Sequence, residues 1–240
     1  MAITKCVILG GHAQLDGKRW VSDFNYPEEP GLYQEHIKTA VACAFNSESA
    51  LVFSGAVTRR TANTMSEARS YYETAVSEGW WGMYSVKPRV LLEENARDSL
   101  GNLFYSIATF RMTYGYYPNE LIAVGFKFKA SRFNYHIKAL KWPRKFTYIT
   151  VNDPPLDMLD RAKKGEAAKM KALASDPFLQ NPVWQKQRME RNPLNKQIPN
   201  LSSVPELADM AAFLYQNGHL KYPEYAPYYI STNKVIHQQL

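Results

Sequence analysis

Three side chains in this chain could move a proton or position water: His12, Glu93 and Asp98. Arg59, Lys129 and Arg132 could hold an anion, and Gly10, Gly11, Ser54, Gly55, Glu67, Ser99 and Asn102 stand beside them as candidate ligand-binding positions. Arg132 can clamp a phosphate or carboxylate through two parallel bonds, whereas Lys129 acts as a point charge. Glu93 at a strand end could hold ribose hydroxyls, or act as a general base if burial raises its pKa. Asn102 follows Asp98 by four residues, which puts both on one side of a helical first turn. Each residue also has a plainer reading. Asp98 and Ser99 are helix caps, Arg132 pairs with Glu93 or Glu94, and Glu67 closes a capping box with Thr64.

The elements that must carry these residues alternate along the chain. Thr4 to Leu9 is a continuous apolar run, suited to a strand covered on both faces, and it ends in Gly10-Gly11-His12. Glycine there permits a tight turn and lets backbone amides approach a ligand, although the G-x-G-x-x-G dinucleotide fingerprint is absent. Ala13 to Pro30 reads as a long loop. Leu32 to Phe45 has helical periodicity, Ala50 to Phe53 is a second strand ending in Ser54-Gly55, and a helix from the Thr64 cap runs to about Glu78.

Arg89 to Leu140 is the organising unit. Val90 to Leu92 stops at two carboxylates, Leu100 to Phe110 repeats at helical spacing, and Leu121 to Val124 opens at Gly125 into a loop with Lys127, Lys129 and Arg132. Lys145 to Val151 is a fifth strand. This β-α alternation predicts a mostly parallel five-stranded sheet with helices on both faces, and a site at the carboxyl ends of its strands. Composition changes after Asn152. Residues 1–151 read as an α/β domain and 152–240 as a mainly helical or irregular extension packed on it. That extension comprises a charged helix from Leu156 to Ala174, a Pro- and Asn-rich stretch over 176–200, and a helix from Ser203-Val-Pro-Glu206 to near Gly218. The Tyr- and Pro-rich tail is expected to wrap the body.

The net charge is +7, and residues 126–145 hold seven Lys or Arg and no acid. Nucleic acid, an acidic surface or an anionic small ligand could each answer such a balance. No nucleic-acid motif accompanies the charge, so nucleic acid is not the expected partner. No apolar run approaches the roughly 20 residues that span a bilayer, and Cys6 to Leu9 is too short for a signal-peptide core. The expectation is a soluble, cytoplasmic protein. Its two cysteines, Cys6 and Cys43, read as reduced packing residues, and no Cys/His spacing suggests a zinc site.

Four stretches together resemble the domain-of-unknown-function family that includes the bacterial proteins YdcF, SanA and ElyC, and more closely its fungal-type branch. They are Ile8-Leu-Gly-Gly11; Phe53-Ser-Gly55 with Arg59 and Ser66-Glu67-Ala68; Glu93 to Asn102; and Phe128-Lys-x-x-Arg132-Phe. Arg191-Asn-Pro193 resembles the fungal-type tail. Bacterial members usually carry a histidine where Lys129 stands. The resemblance implies a Rossmann-like three-layer sandwich with a strand-end site. Because a bacterial member is described as binding S-adenosylmethionine, it makes that compound the first candidate ligand.

Three functions are therefore weighed. The first is binding of an anionic, nucleotide-like or adenosyl-type small molecule. The second is hydrolysis or transfer on a phosphate-bearing substrate, with Glu93, Asp98 or His12 acting on water and a carboxylate-held divalent metal as an option. The third is a non-catalytic interaction protein using the tail and the basic helix. The reaction, any cofactor and the oligomeric state are not written in the sequence.

Overall fold

A computed structural model describes residues 2–22, 26, 28–61, 64–197 and 199–215. Strand β1 (Lys5–Gly10) is the centre of the molecule, and Cys6 to Leu9 have no solvent exposure. Its side chains alternate between two cores, as the two-residue period of a strand requires. Val7 and Leu9 pack under helices α1 (Glu29–Cys43) and α2 (Glu67–Ser77), while Cys6 and Ile8 pack under α3 (Ser99–Tyr114) and α4 (Ala130–Ala139).

Strands β4 (Ser49–Ser54), β5 (Val90–Glu93), β6 (Glu120–Gly125) and β7 (Lys145–Thr150) complete a sheet in the order β5-β4-β1-β6-β7. All four pairings are parallel. The fold is a Rossmann-like α/β sandwich. The chain starts mid-sheet, builds outward through β4 to β5, then crosses back to add β6 on the other side of β1. That reversal splays the connections apart at the carboxyl ends of β1 and β6 and leaves a crevice there.

Residues 13–30 are not a plain loop. Strands β2 (Gln14–Asp16) and β3 (Arg19–Val21) form an antiparallel hairpin, whose two-residue turn uses Gly17 at φ 64°. Helix α1 takes Glu29 and Pro30 into its first turn, where proline's missing N–H costs nothing. Helix α2 is capped by Ser66, whose hydroxyl accepts from the Arg69 amide, and not by Thr64. Arg132 lies inside α4 instead of on a loop, because a short 3-10 turn at Lys127–Lys129 runs straight into that helix.

The 152–215 segment contributes α5 (Leu156–Ser175), α6 (Pro182–Glu190) and α7 (Pro205–Tyr215). Helix α6 falls in the stretch expected to be irregular. Its periodicity is weak, and Asn181 caps it by accepting from the Val183 and Trp184 amides. Leu207, Met210 and Leu214 of α7 join the core on the α3 side of the sheet. The expected helix end near Gly218 and the Tyr- and Pro-rich tail lie outside the described residues. No helix among the described residues is long and apolar enough to cross a membrane.

Candidate functional site

Gly10 and Gly11 end β1 where two helices start. A Cβ on Gly11 would sit 2.4 Å from Glu67 Cβ, and one on Gly10 would sit 2.4 Å from Asn102 Nδ2. The glycines thus let the first turns of α2 and α3 close onto the strand end. They do not form the expected amide cradle. The Gly11 amide donates to the Ser54 carbonyl at 2.7 Å, and the His12 amide donates to the Tyr71 hydroxyl at 3.1 Å. Helix α2 likewise has no free start, since the Glu67 and Ala68 amides donate to the carbonyls of Ala56 and Gly55.

A cavity of about 80 Å³ opens above this junction. It brings together nine residues marked by the sequence: Gly11, His12, Arg59, Glu67, Asp98, Ser99, Asn102, Lys129 and Arg132. Arg97, Phe133, Lys169 and Arg191 line it too, and sequence reasoning did not select them as site residues. Arg191 carried a signal through its tail motif, but Lys169 lies in a charged helix with nothing to mark it. Six cationic side chains therefore face one small space against two carboxylates.

Both carboxylates are engaged. Glu67 accepts from Thr58 Oγ1 at 2.5 Å and from Arg59 Nη1 at 3.1 Å. Burial pushes its carboxyl up, opposed by Arg59 and Thr58. Glu67 is the first helical residue after the Ser66 cap, so it closes no capping box with Thr64. Arg59 is held in turn by the hairpin, where buried Gln14 Oε1 accepts the Thr58 and Arg59 amides at 2.6 and 2.7 Å. Asp98 caps α3 by accepting from the Gly101 amide at 2.8 Å and pairs with Arg188 Nε at 2.5 Å. Burial alone would raise the Asp98 carboxyl, but Arg188 and the Gly101 amide hold it well below the usual carboxylate range. A carboxylate so committed is a poor base, which argues against the catalytic role expected for Asp98.

Glu93, Ser54, Gly10 and Gly55 stand behind the cavity and do not line it. The Ser54 hydroxyl donates to Glu93 Oε2 at 2.5 Å and lies 3.1 Å from Asn102 Oδ1. Glu93 Oε1 accepts the Asn95 and Ala96 amides at 2.6 and 3.0 Å. Burial pushes the Glu93 carboxyl up to about 7, against the lowering effect of the Ser54 hydroxyl and those amides. Glu93 is thus held by the Ser54 hydroxyl and two backbone amides behind the cavity, with Asn102 beside Ser54.

The cations crowd one another. Lys129 Nζ lies 2.6 Å from Nδ1 and 2.9 Å from Nε2 of His12. Burial, then the neighbouring Arg132, push the Lys129 ammonium well below its usual range. Lys169 is pushed down to about 8 by burial, then by Arg132 and Arg191. Arg132 pairs with Glu166 at 3.2 Å, and not with Glu93 or Glu94. Among the described residues no group of three His, Cys, Asp or Glu is placed to hold a metal ion.

No family model matches the chain, and no solved structure does. The chain is similar to the uncharacterised protein YOR238W of Saccharomyces cerevisiae, at 23% identity over a match covering 64% of this chain and 66% of the yeast one. The match thus spans just under two thirds of that relative's length.

Proposed function

We propose that the strand-end cavity binds the phosphate group of a small-molecule ligand. The observation that carries this reading is the convergence of Arg59, Arg97, Lys129, Arg132, Lys169 and Arg191 on about 80 Å³. Crowded buried cations cost free energy in the unliganded protein, as the lowered lysines indicate. An anion relieves that cost, so the site is preorganised for one. Arginines supply fork-shaped donors that match phosphate oxygens, and the Asp98-capped start of α3, where Ser99 lines the cavity, adds a favourable dipole. S-adenosylmethionine fits this lining less well, because its sulfonium carries a positive charge. Membership of the YdcF, SanA and ElyC family is part of the same reading, supported by the meeting of all four motif stretches at this cavity.

Calorimetric titration with inorganic phosphate, pyrophosphate, nucleotides and S-adenosylmethionine tests the proposal. Phosphate compounds should bind in a salt-dependent way, and Asn102→Ala should weaken binding more than folding. Saturable binding of S-adenosylmethionine alone would overturn it.

A second reading, hydrolysis or transfer of the phosphate group, is favoured by the Glu67 carboxyl. It faces the cavity, and burial raises it above its ordinary value, which favours a proton-transfer role. His12, in contact with Lys129, is the other proton-carrying group at the rim. In this reading Glu67→Gln abolishes turnover of a phosphate ester while keeping its affinity. Unchanged turnover would remove Glu67 from any chemistry. The interaction-protein alternative rests on the tail, which lies outside the described residues.

A further inference from the structure

A second cavity of about 370 Å³ abuts the first and shares four of its walls, His12, Lys129, Arg132 and Lys169. Its remaining lining differs in kind. Phe128 and Trp184 provide aromatic surface, and Ala162, Gly165 and Ala168 of α5 provide almost no side chain. The two lysines on the shared wall are already seated on these rings. Lys169 Nζ lies 5.0 Å from the centre of the Trp184 ring, and Lys129 Nζ lies 5.6 Å from that of Phe128. We propose that the ligand is a phosphate ester carrying a flat aromatic ring, a nucleoside monophosphate being the reference compound, with the phosphate in the cationic cavity and the ring against Phe128 and Trp184. This rests on the phosphate reading above and specifies the other end of the molecule.

Three observations support it. The first cavity takes a phosphate-sized group and no ring system, whereas about 370 Å³ lies within the roughly 300–1,000 Å³ usual for small-molecule sites. Any larger phosphate ester must extend somewhere, and the shared wall leads into the aromatic groove. Second, Arg132 stands at the junction with 6% of its surface exposed, and its Nε has no hydrogen-bond partner. The paired Glu166 Oε1, 3.2 Å away, lacks one as well because the two are poorly aligned. Arg132 lines both cavities, so its guanidinium stands where the ester end of a bridging ligand would lie. Third, Gly165 lies within α5, where glycine is less favourable than alanine. A Cβ there would meet nothing within 4 Å, so neither backbone conformation nor close packing calls for it. Its missing side chain widens the groove.

The test uses the full chain, titrated by calorimetry with inorganic phosphate, ribose 5-phosphate and adenosine 5′-monophosphate. The expected order is adenosine monophosphate at least tenfold tighter than ribose 5-phosphate, because base stacking on an aromatic side chain adds affinity that the sugar phosphate lacks. Gly165→Leu fills the groove and improves helix propensity, so it folds. It should erase the tenfold advantage and leave inorganic phosphate affinity unchanged. Trp184→Ala should act in the same direction. If all phosphate esters bind equally well to the wild type, the aromatic seat is refuted while the phosphate site stands. The aromatic seat is refuted in the same way if Gly165→Leu, with an unchanged melting temperature, still prefers adenosine monophosphate. If no phosphate compound binds at all, both readings fall together.

Discussion

Arg188 Nε lies 2.5 Å from Asp98 Oδ2, joining helix α6 to the cap of α3 across 90 residues of sequence. Arg188 is 4% exposed, and its guanidinium also donates to the carbonyls of Phe178 at 2.9 Å and Leu214 at 3.2 Å. One side chain thus gathers the turn before α6, the helix α7 and the floor of the cationic cavity. Removing one partner of a buried ion pair leaves the other charge uncompensated, at a cost of about 3–5 kcal/mol. Arg188→Ala should lower stability by about that amount in urea unfolding. The Asp98→Asn/Arg188→Leu double variant should recover part of it. Equal losses for the single and double variants would deny the pair its role.

Glu93 should make stability depend on pH. Its ordinary value is 4.5, and burial carries it up to about 7 in the folded chain. The folded state holds that proton more tightly, so the contribution is fully present below pH 4.5 and is lost as pH rises through 7. The rise corresponds to roughly 3 kcal/mol. Glu93→Gln keeps an acceptor for the Asn95 and Ala96 amides and carries no charge. Its unfolding free energy relative to wild type should therefore increase between pH 5 and pH 8. A difference constant over that range would show that Glu93 titrates elsewhere.

Lys129 should oppose stability and serve binding. Its ammonium is buried against Arg132 and pushed down by both burial and charge. Lys129→Met keeps a long flexible side chain and removes the charge. We expect a higher melting temperature without ligand and at least a tenfold loss of phosphate affinity. A lower melting temperature with unchanged affinity would contradict the assignment. Trade-offs of this kind mark sites built for function.

Anion affinity should fall at high pH. Lys169 loses its charge near pH 8, far below its ordinary 10.5. Sulfate keeps a constant charge over this range, so its affinity should drop between pH 7 and pH 9.5. Lys169→Arg should remove most of the drop, because guanidinium stays protonated. The unliganded protein should gain stability from this group between pH 8 and 10.5, where only the unfolded chain keeps the proton. Sulfate affinity indifferent to pH would remove Lys169 from the site.

The two glycines at the end of β1 should respond differently to alanine. At Gly11 the added carbon meets Glu67 Cβ, which moves only if α2 moves. Overpacking of this kind costs about 1–3 kcal/mol. At Gly10 the added carbon meets the end of the Asn102 side chain, which can rotate away. Gly11→Ala should lower the melting temperature. Gly10→Ala should spare folding and weaken anion binding. Reversed effects in thermal unfolding and calorimetry would show that the glycines act through their backbone instead.

The sequence by itself determined the sheet and the edge on which the site lies. Buried parallel strands must be apolar throughout, so Cys6 to Leu9, Ala50 to Phe53 and Leu121 to Val124 were legible as strands. The residues at their ends were legible because strand ends converge wherever such strands pair in parallel. Only the tertiary structure decided which charges meet. Arg97, Lys169 and Arg191 reach the cavity from a loop, a helix and a helix end whose local patterns say nothing of direction. Asp98 found its ion-pair partner in Arg188, 90 residues away. Glu93 was turned behind Ser54, and Glu67 was released from capping because Ser66 took that place. Periodicity is a local property of a chain. A charge acquires its partner, its burial and its pKa from neighbours that only the folded chain brings within a few ångströms.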